Sequence, residues 1–101
     1  MHQLTDEQPA TIISWAKKTP DVQAVFLSGK RARGTAESDS NVELALSITG
    51  PDPLRRLATF LSRRRTWRGE LEAAIGLAVQ LERARADSAP EGGYAELWER
   101  A

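Results

Sequence analysis

Two short runs of strand-forming residues joined by a glycine-punctuated polar loop, Val25 to Ile48 (VFLSGKRARGTAESDSNVELALSI), constrain this chain more than any other stretch. The first run stops where Ser28-Gly29 breaks the apolar pattern, and the second opens with Asn41-Val42-Glu43. Side chains alternate along a strand, so Asn41 and Glu43 project to one side while Val42, Leu44, Leu46 and Ile48 point to the other. Two polar groups thus share one face. If the strands are neighbours, the loop brings Gly29 and Lys30 close to that pair. The segment Lys30 to Arg33 has the form of a helical turn whose first N–H groups would face an anion beside Gly29, and Arg31 and Arg33 are cations suited to a triphosphate. A solvated basic loop is the alternative for these three side chains. The Lys30 ammonium is also placed to lie against Glu43 and neutralise it.

The flanking elements read as scaffolding. Thr5 and Gln8 form a capping box, with Pro9 tolerable near the helix start, and Ile12, Ile13, Trp15 and Ala16 share one face of a helix that Lys17-Lys18 and Pro20 end. Trp15 is expected in the core rather than as a base-stacking platform. A first strand is predicted over Val22 to Leu27. After the second strand, Asp52 caps and Pro53 starts a helix with Leu54, Leu57, Ala58 and Leu61 as its apolar stripe, running to about Arg65. A separate short helix is predicted within Gly69 to Gly76, with Trp67 at the joint and Gly76 as a left-handed cap. The next segment alternates, Leu77, Val79 and Leu81 against Gln80, Glu82 and Ala84, and reads as a third strand. Asp87 to Gly93 has loop composition. Tyr94 to Ala101 suits either a short strand around Ala95 to Glu99 or a helical turn, with Tyr94, Leu97 and Trp98 closing the core or edging a partner.

Gly29-Lys30, the ten residues Arg31 to Ser40, then Asn41-Val42-Glu43 keep the spacing of a known motif. With Arg31-Ala32-Arg33-Gly34-Thr35-Ala36 and Asp39-Ser40 inside it, the stretch resembles the minimal nucleotidyltransferases of the DNA polymerase beta superfamily. Their motif is Gly-Ser, ten residues, then Asp-x-Asp. Here Lys30 stands for the serine, Asn41 for the first aspartate and Glu43 for the second. A third carboxylate of the family falls on Gln80 when Val79-Gln80-Leu81 is matched to Val-Asp-Leu; Glu82, two residues on and on the same face, is a substitute or a surface residue paired with an arginine. The resemblance implies a fold of α/β (α+β) class, a small mixed β-sheet covered by helices on one face. It implies a site on the opposite face: Asn41, Glu43, Gln80 and Glu82 at degenerate carboxylate positions, Gly29, Lys30, Arg31 and Arg33 as nucleotide- and phosphate-binding residues, and Glu43 as the remaining metal ligand.

Composition narrows the functions further. A chain of 101 residues makes one domain with a single core. Its 14 basic and 14 acidic residues cancel, so no whole-molecule field draws it to nucleic acid or a membrane surface. The arginines Arg55, Arg56, Arg63, Arg64, Arg65 and Arg68 form a local cluster, read as a solvated helix face before an RNA or acidic-partner contact. The absence of cysteine removes disulfides, thiolate catalysis and cysteine zinc sites, and fits a reducing compartment. The only histidine is His2, near the terminus, which leaves little support for Ser/His or His-metal chemistry. With no leader and no apolar run of the ~20 residues a membrane span needs, the expected location is cytoplasmic.

The expectation is a degenerate nucleotidyltransferase-like protein that works by binding a nucleoside triphosphate or a protein partner. The resemblance adds that partner's type, a small helical toxin held by an antitoxin-like chain. The alternative is a weak Mg²⁺-dependent nucleotidyltransferase, with magnesium a cofactor only in that case, and a homodimer with a vestigial site is a third reading.

Overall fold

In a computed structural model of the chain, the structure describes residues 7–29, 41–84 and 95–100. The order of elements is α1 (Glu7–Lys17), β1 (Val22–Ser28), β2 (Val42–Ile48), α2 (Pro53–Ile75), β3 (Val79–Arg83) and β4 (Ala95–Glu99). The strands form one four-stranded sheet in the order β3-β2-β1-β4. β2 and β4 both run antiparallel to β1, while β3 runs parallel to β2. A parallel neighbour cannot be reached by a tight turn, so α2 supplies the crossover between β2 and β3. The sheet is mixed for that reason, as expected.

Both described helices lie on one face. Ile12 and Ala16 of α1 and Phe60, Trp67 and Leu71 of α2 form a continuous core with Val25 and Leu27 of β1, Val42, Leu44, Leu46 and Ile48 of β2, and Val79 of β3. The half-buried Trp15 packs edge-on against Trp67, with ring centroids 6.1 Å apart at 81°, and its indole N–H donates to Glu70 Oε1 at 3.0 Å. That is the core role its position predicted.

The helix after β2 differs from the sequence reading in length and in face. It does not stop near Arg65 to restart at Gly69; it is continuous for 23 residues, from the Asp52 cap, whose carboxylate accepts from Arg55 N at 2.8 Å, to Gly76 in the left-handed conformation. Gly69 sits inside it on the solvent side, where a Cβ would meet nothing within 4 Å, so the penalty of about 1 kcal/mol for helical glycine is outweighed by the packing on either side. Trp67 is therefore mid-helix, not at a joint. The buried stripe is Phe60, Trp67 and Leu71, and the stripe expected to be buried is turned outward: Leu54 is 75% exposed, Leu61 is 52% exposed and Ala58 is exposed. Two apolar stripes lie about 100° apart on this helix, and the two large aromatic and aliphatic groups near its C-terminal end decide which one faces the sheet.

The C-terminal segment resolves as a strand, β4, and the residue after it fastens the fold. Arg100 donates its backbone N–H to Gln23 O at 2.7 Å and its guanidinium to the carbonyls of Ala16, Thr19 and Val22 at 3.0 to 3.2 Å. Ala16 is in the last turn of α1, Thr19 is in the turn after it and Val22 opens β1, so one side chain ties the end of the helix to the start of the strand. The same guanidinium lies 4.9 Å from the Trp98 ring centroid. Leu97 and Trp98 pack on the core.

Candidate functional site

The register of the sheet assembles the site. Ser28 of β1 lies opposite Glu43 of β2, and Glu43 lies opposite Gln80 of β3. Residues in register across adjacent strands project to the same side, so Ser28, Glu43 and Gln80 form one polar row on the face away from the helices. Glu82 follows on that side, beside Ala45, and is exposed. Asn41 is exposed and precedes the strand, which opens at Val42 rather than at Asn41 as the sequence suggested. Ala84 departs from the alternation predicted for it: it is buried, with its N–H donating to Leu46 O at 2.7 Å.

Backbone contacts hold this row in place. The Gly76 cap, its N–H bonded to Glu72 O at 2.9 Å, turns the chain from α2 into β3. Glu72 then takes the Val79 N–H at 2.9 Å, and Val42 N–H donates to Ala78 O at 2.8 Å. These bonds fix the β2–β3 register and with it the Glu43–Gln80 pairing.

Gly29 ends β1 with φ +67°, a left-handed conformation that favours glycine. A Cβ built on it would overlap the Glu43 carboxylate, so that carboxylate lies directly against the glycine Cα. Absence of a side chain at 29 is what gives the acid its place. Glu43 has no hydrogen bond or ion pair to any described residue. Lys30, Arg31 and Arg33, and with them the expected Lys30–Glu43 pairing, lie outside the described residues.

Ser28 was missed as a site residue. It is 2% exposed, and its hydroxyl has no hydrogen-bond partner among the described residues. The signal was present: it is the last strand residue before the glycine turn, and antiparallel pairing puts that residue across from the carboxylate position. On the other side of Gln80, an open cavity of about 470 Å³ is lined by Arg64, Arg65 and Arg68 of α2 together with Gln80 and Leu81. Three of the clustered arginines are thereby brought next to the polar row.

No group of three or more acidic, histidine or cysteine side chains suited to a metal occurs among the described residues. Among the described residues of β2 and β3, the acids on this face are Glu43 and Glu82, which are offset by two residues in register, and the position directly across from Glu43 is the neutral Gln80.

No protein-family model matches the chain, and no curated protein matches it in sequence. Among solved structures it is similar to a toxin–antitoxin crystallised with AMP-PNP, at TM-score 0.67 and 20% identity over 91% of this chain and 73% of that one. It is similar to a mutant of the MntA–HpeT toxin–antitoxin, at TM-score 0.66 and 21% identity over the same shares. A third likeness is to a complex of the tri-AMPylated Shewanella oneidensis HEPN toxin with MNT antitoxin, at TM-score 0.63 and 16% identity over 96% of this chain and 74% of that one. At such identities the likeness is one of fold. The fold is the nucleotidyltransferase fold that the glycine turn and strand motif implied.

Proposed function

We propose that this chain is an antitoxin-like protein of nucleotidyltransferase fold that works by binding a nucleotide or a protein partner rather than by efficient nucleotidyl transfer. The observation that carries this reading is the polar row itself: one carboxylate, Glu43, set between a hydroxyl, Ser28, and an amide, Gln80. Transfer in this superfamily uses carboxylates to hold two magnesium ions ~4 Å apart, which activate the attacking hydroxyl and neutralise the leaving pyrophosphate. Asn41 offers a carbonyl oxygen but no bridging charge, and Gln80 is neutral, so the donor set does not fit a pair of magnesium ions. Losing one such electrostatic contribution costs about 10²–10³ in rate, and two positions are changed together. Binding is compatible with what remains: a glycine turn, a carboxylate beside it and an amide in line with both.

The neighbours' own assemblies, one with AMP-PNP and one with a HEPN toxin, support a partner of either kind. A toxin-like protein and an adenine nucleotide are the ligands to try first. A second reading, weak Mg²⁺-dependent transfer to a protein or small-molecule acceptor, is favoured by Glu43 being retained beside Gly29 with Glu82 facing the same side.

The deciding experiment is isothermal titration of ATP and the other nucleoside triphosphates, with and without Mg²⁺, into the protein and into Glu43→Gln. Binding that does not depend on Mg²⁺ and persists in Glu43→Gln is the expected result. Binding that requires Mg²⁺ and vanishes in the variant would replace it with the enzymatic reading. A chain that binds no nucleotide would be acting on its protein partner alone, and copurification with a HEPN-type protein would then carry the test.

A further inference from the structure

We propose that the open groove between α2 and the β3 edge is a second, separate binding site, built for a small phosphorylated ligand. Its walls are Arg64, Arg65 and Arg68, with Gln80 and Leu81 as the strand side, and its volume of about 470 Å³ falls in the range of small-molecule sites. The three arginines lie within one turn of the helix, with Arg64 and Arg68 four residues apart. Like charges at that spacing repel one another.

The protein leaves this repulsion uncompensated. Among the described residues none of the three guanidinium groups has a hydrogen bond or ion pair, and the ion pair found at α2, Arg55 with Asp52 at 3.7 Å, is at the opposite end of the helix. Two acids follow the arginines on the same helix, and both are engaged elsewhere: Glu70 accepts the Trp15 indole N–H, and Glu72 accepts the Val79 N–H. In a chain with no net charge, three unpaired cations are thus gathered around one concavity while the neighbouring carboxylates are used to build the fold.

The ligand's chemistry follows from the donors. Three planar guanidinium forks and an amide present more N–H groups than a single carboxylate can accept, and they match the several oxygens of a di- or triphosphate. Leu81, half-buried, gives the non-phosphate part of a ligand an apolar surface. A nucleic-acid strand fits less well, because Arg64 to Arg68 span only about 6 Å of helix, too short a track for a run of phosphates. Glu43 does not line the groove, so this site stands independently of the proposed function, and Gln80 is the only residue common to both.

The test is titration of inorganic tripolyphosphate into the full chain at low and at physiological ionic strength. The expected result is saturable binding that weakens at least about tenfold, or 1.4 kcal/mol, in Arg64→Ala/Arg68→Ala. It stays within about twofold in Arg55→Ala/Arg63→Ala, which removes the same charge from the same helix outside the groove. Circular dichroism verifies that both variants fold, as exposed helical sites replaced by alanine should. Arg31→Ala/Arg33→Ala, at the phosphate-binding turn that the sequence motif implies, must leave tripolyphosphate binding intact, and this separates failure of the groove from failure of the nucleotide site. The proposal is overturned by any of four results: equal losses in the two double variants, loss in Arg31→Ala/Arg33→Ala instead, oligoglutamate binding as tightly as tripolyphosphate, or affinity for oligonucleotides that keeps growing with their length.

Discussion

A carboxylate occupies the space that a methyl group at position 29 would need, and the backbone there is left-handed, so Gly29 is required twice over. Gly29→Ala should cost about 1–2 kcal/mol from the left-handed backbone alone, with a further steric contribution from Glu43. Combining it with Glu43→Ala separates the two: the steric part disappears in the double variant and the backbone part stays, read as a coupling energy from urea unfolding. Additivity would mean that Glu43 is not held over the glycine. One position earlier, the Ser28 hydroxyl is buried without a partner among the described residues, which costs about 1–3 kcal/mol. Ser28→Ala should therefore raise the unfolding midpoint of the free protein. If the hydroxyl contributes to ligand binding, the same variant binds nucleotide more weakly, and stability and affinity move in opposite directions. A lower unfolding midpoint would show that the hydroxyl is satisfied in solution.

At the scale of elements, the order of helices and strands was legible because turn chemistry is local. Asp52-Pro53 and Gly76 set the ends of α2, and alternation from Val42 to Ile48 set the inner face of β2. The break placed after Arg65 and the buried stripe of the same helix were not legible, since Leu54, Leu57, Ala58 and Leu61 keep helical spacing as well as Phe60, Trp67 and Leu71 do. Only the sheet, a tertiary partner, selects between the two. The face assignment makes a sharp contrast between neighbours: Phe60→Ala should destabilise by about 3–5 kcal/mol, and Leu61→Ala, at a half-exposed site, by about 0.5 kcal/mol or less. Equal effects in chemical denaturation would put the helix in the orientation that the sequence suggested. The candidate site followed the same division. Its glycine turn and the Glu43 position were read from the spacing of one motif, and the Gln80 position from the likeness of Val79-Gln80-Leu81 to a Val-Asp-Leu strand. Ser28 and the arginine groove depend on which strands pair and how α2 crosses them.

For the molecule as a whole, closure of the sheet rests on its last described residues. β4 pairs with β1 across about seventy residues of chain, so β1 becomes an interior strand only after nearly all of the sequence is in place. Arg100 completes the closure by binding the carbonyls at the end of α1 and in β1, which joins the C-terminal end of the chain to the N-terminal helix. Hydrogen bonds from a charged donor contribute about 1.5–3 kcal/mol, so Arg100→Ala should lower stability by that order and leave the fold intact. Deleting residues 95–101 is a different matter. It removes the ladder on one side of β1, leaves an unpaired edge beside exposed core and takes away the Leu97 and Trp98 packing. The truncated chain should self-associate in size-exclusion chromatography and lose its cooperative unfolding transition, while Arg100→Ala remains monodisperse with a single, earlier transition. A truncated chain as stable and monodisperse as the intact one would mean that α1, α2 and the three remaining strands form the whole folding unit, with β4 only laid against it.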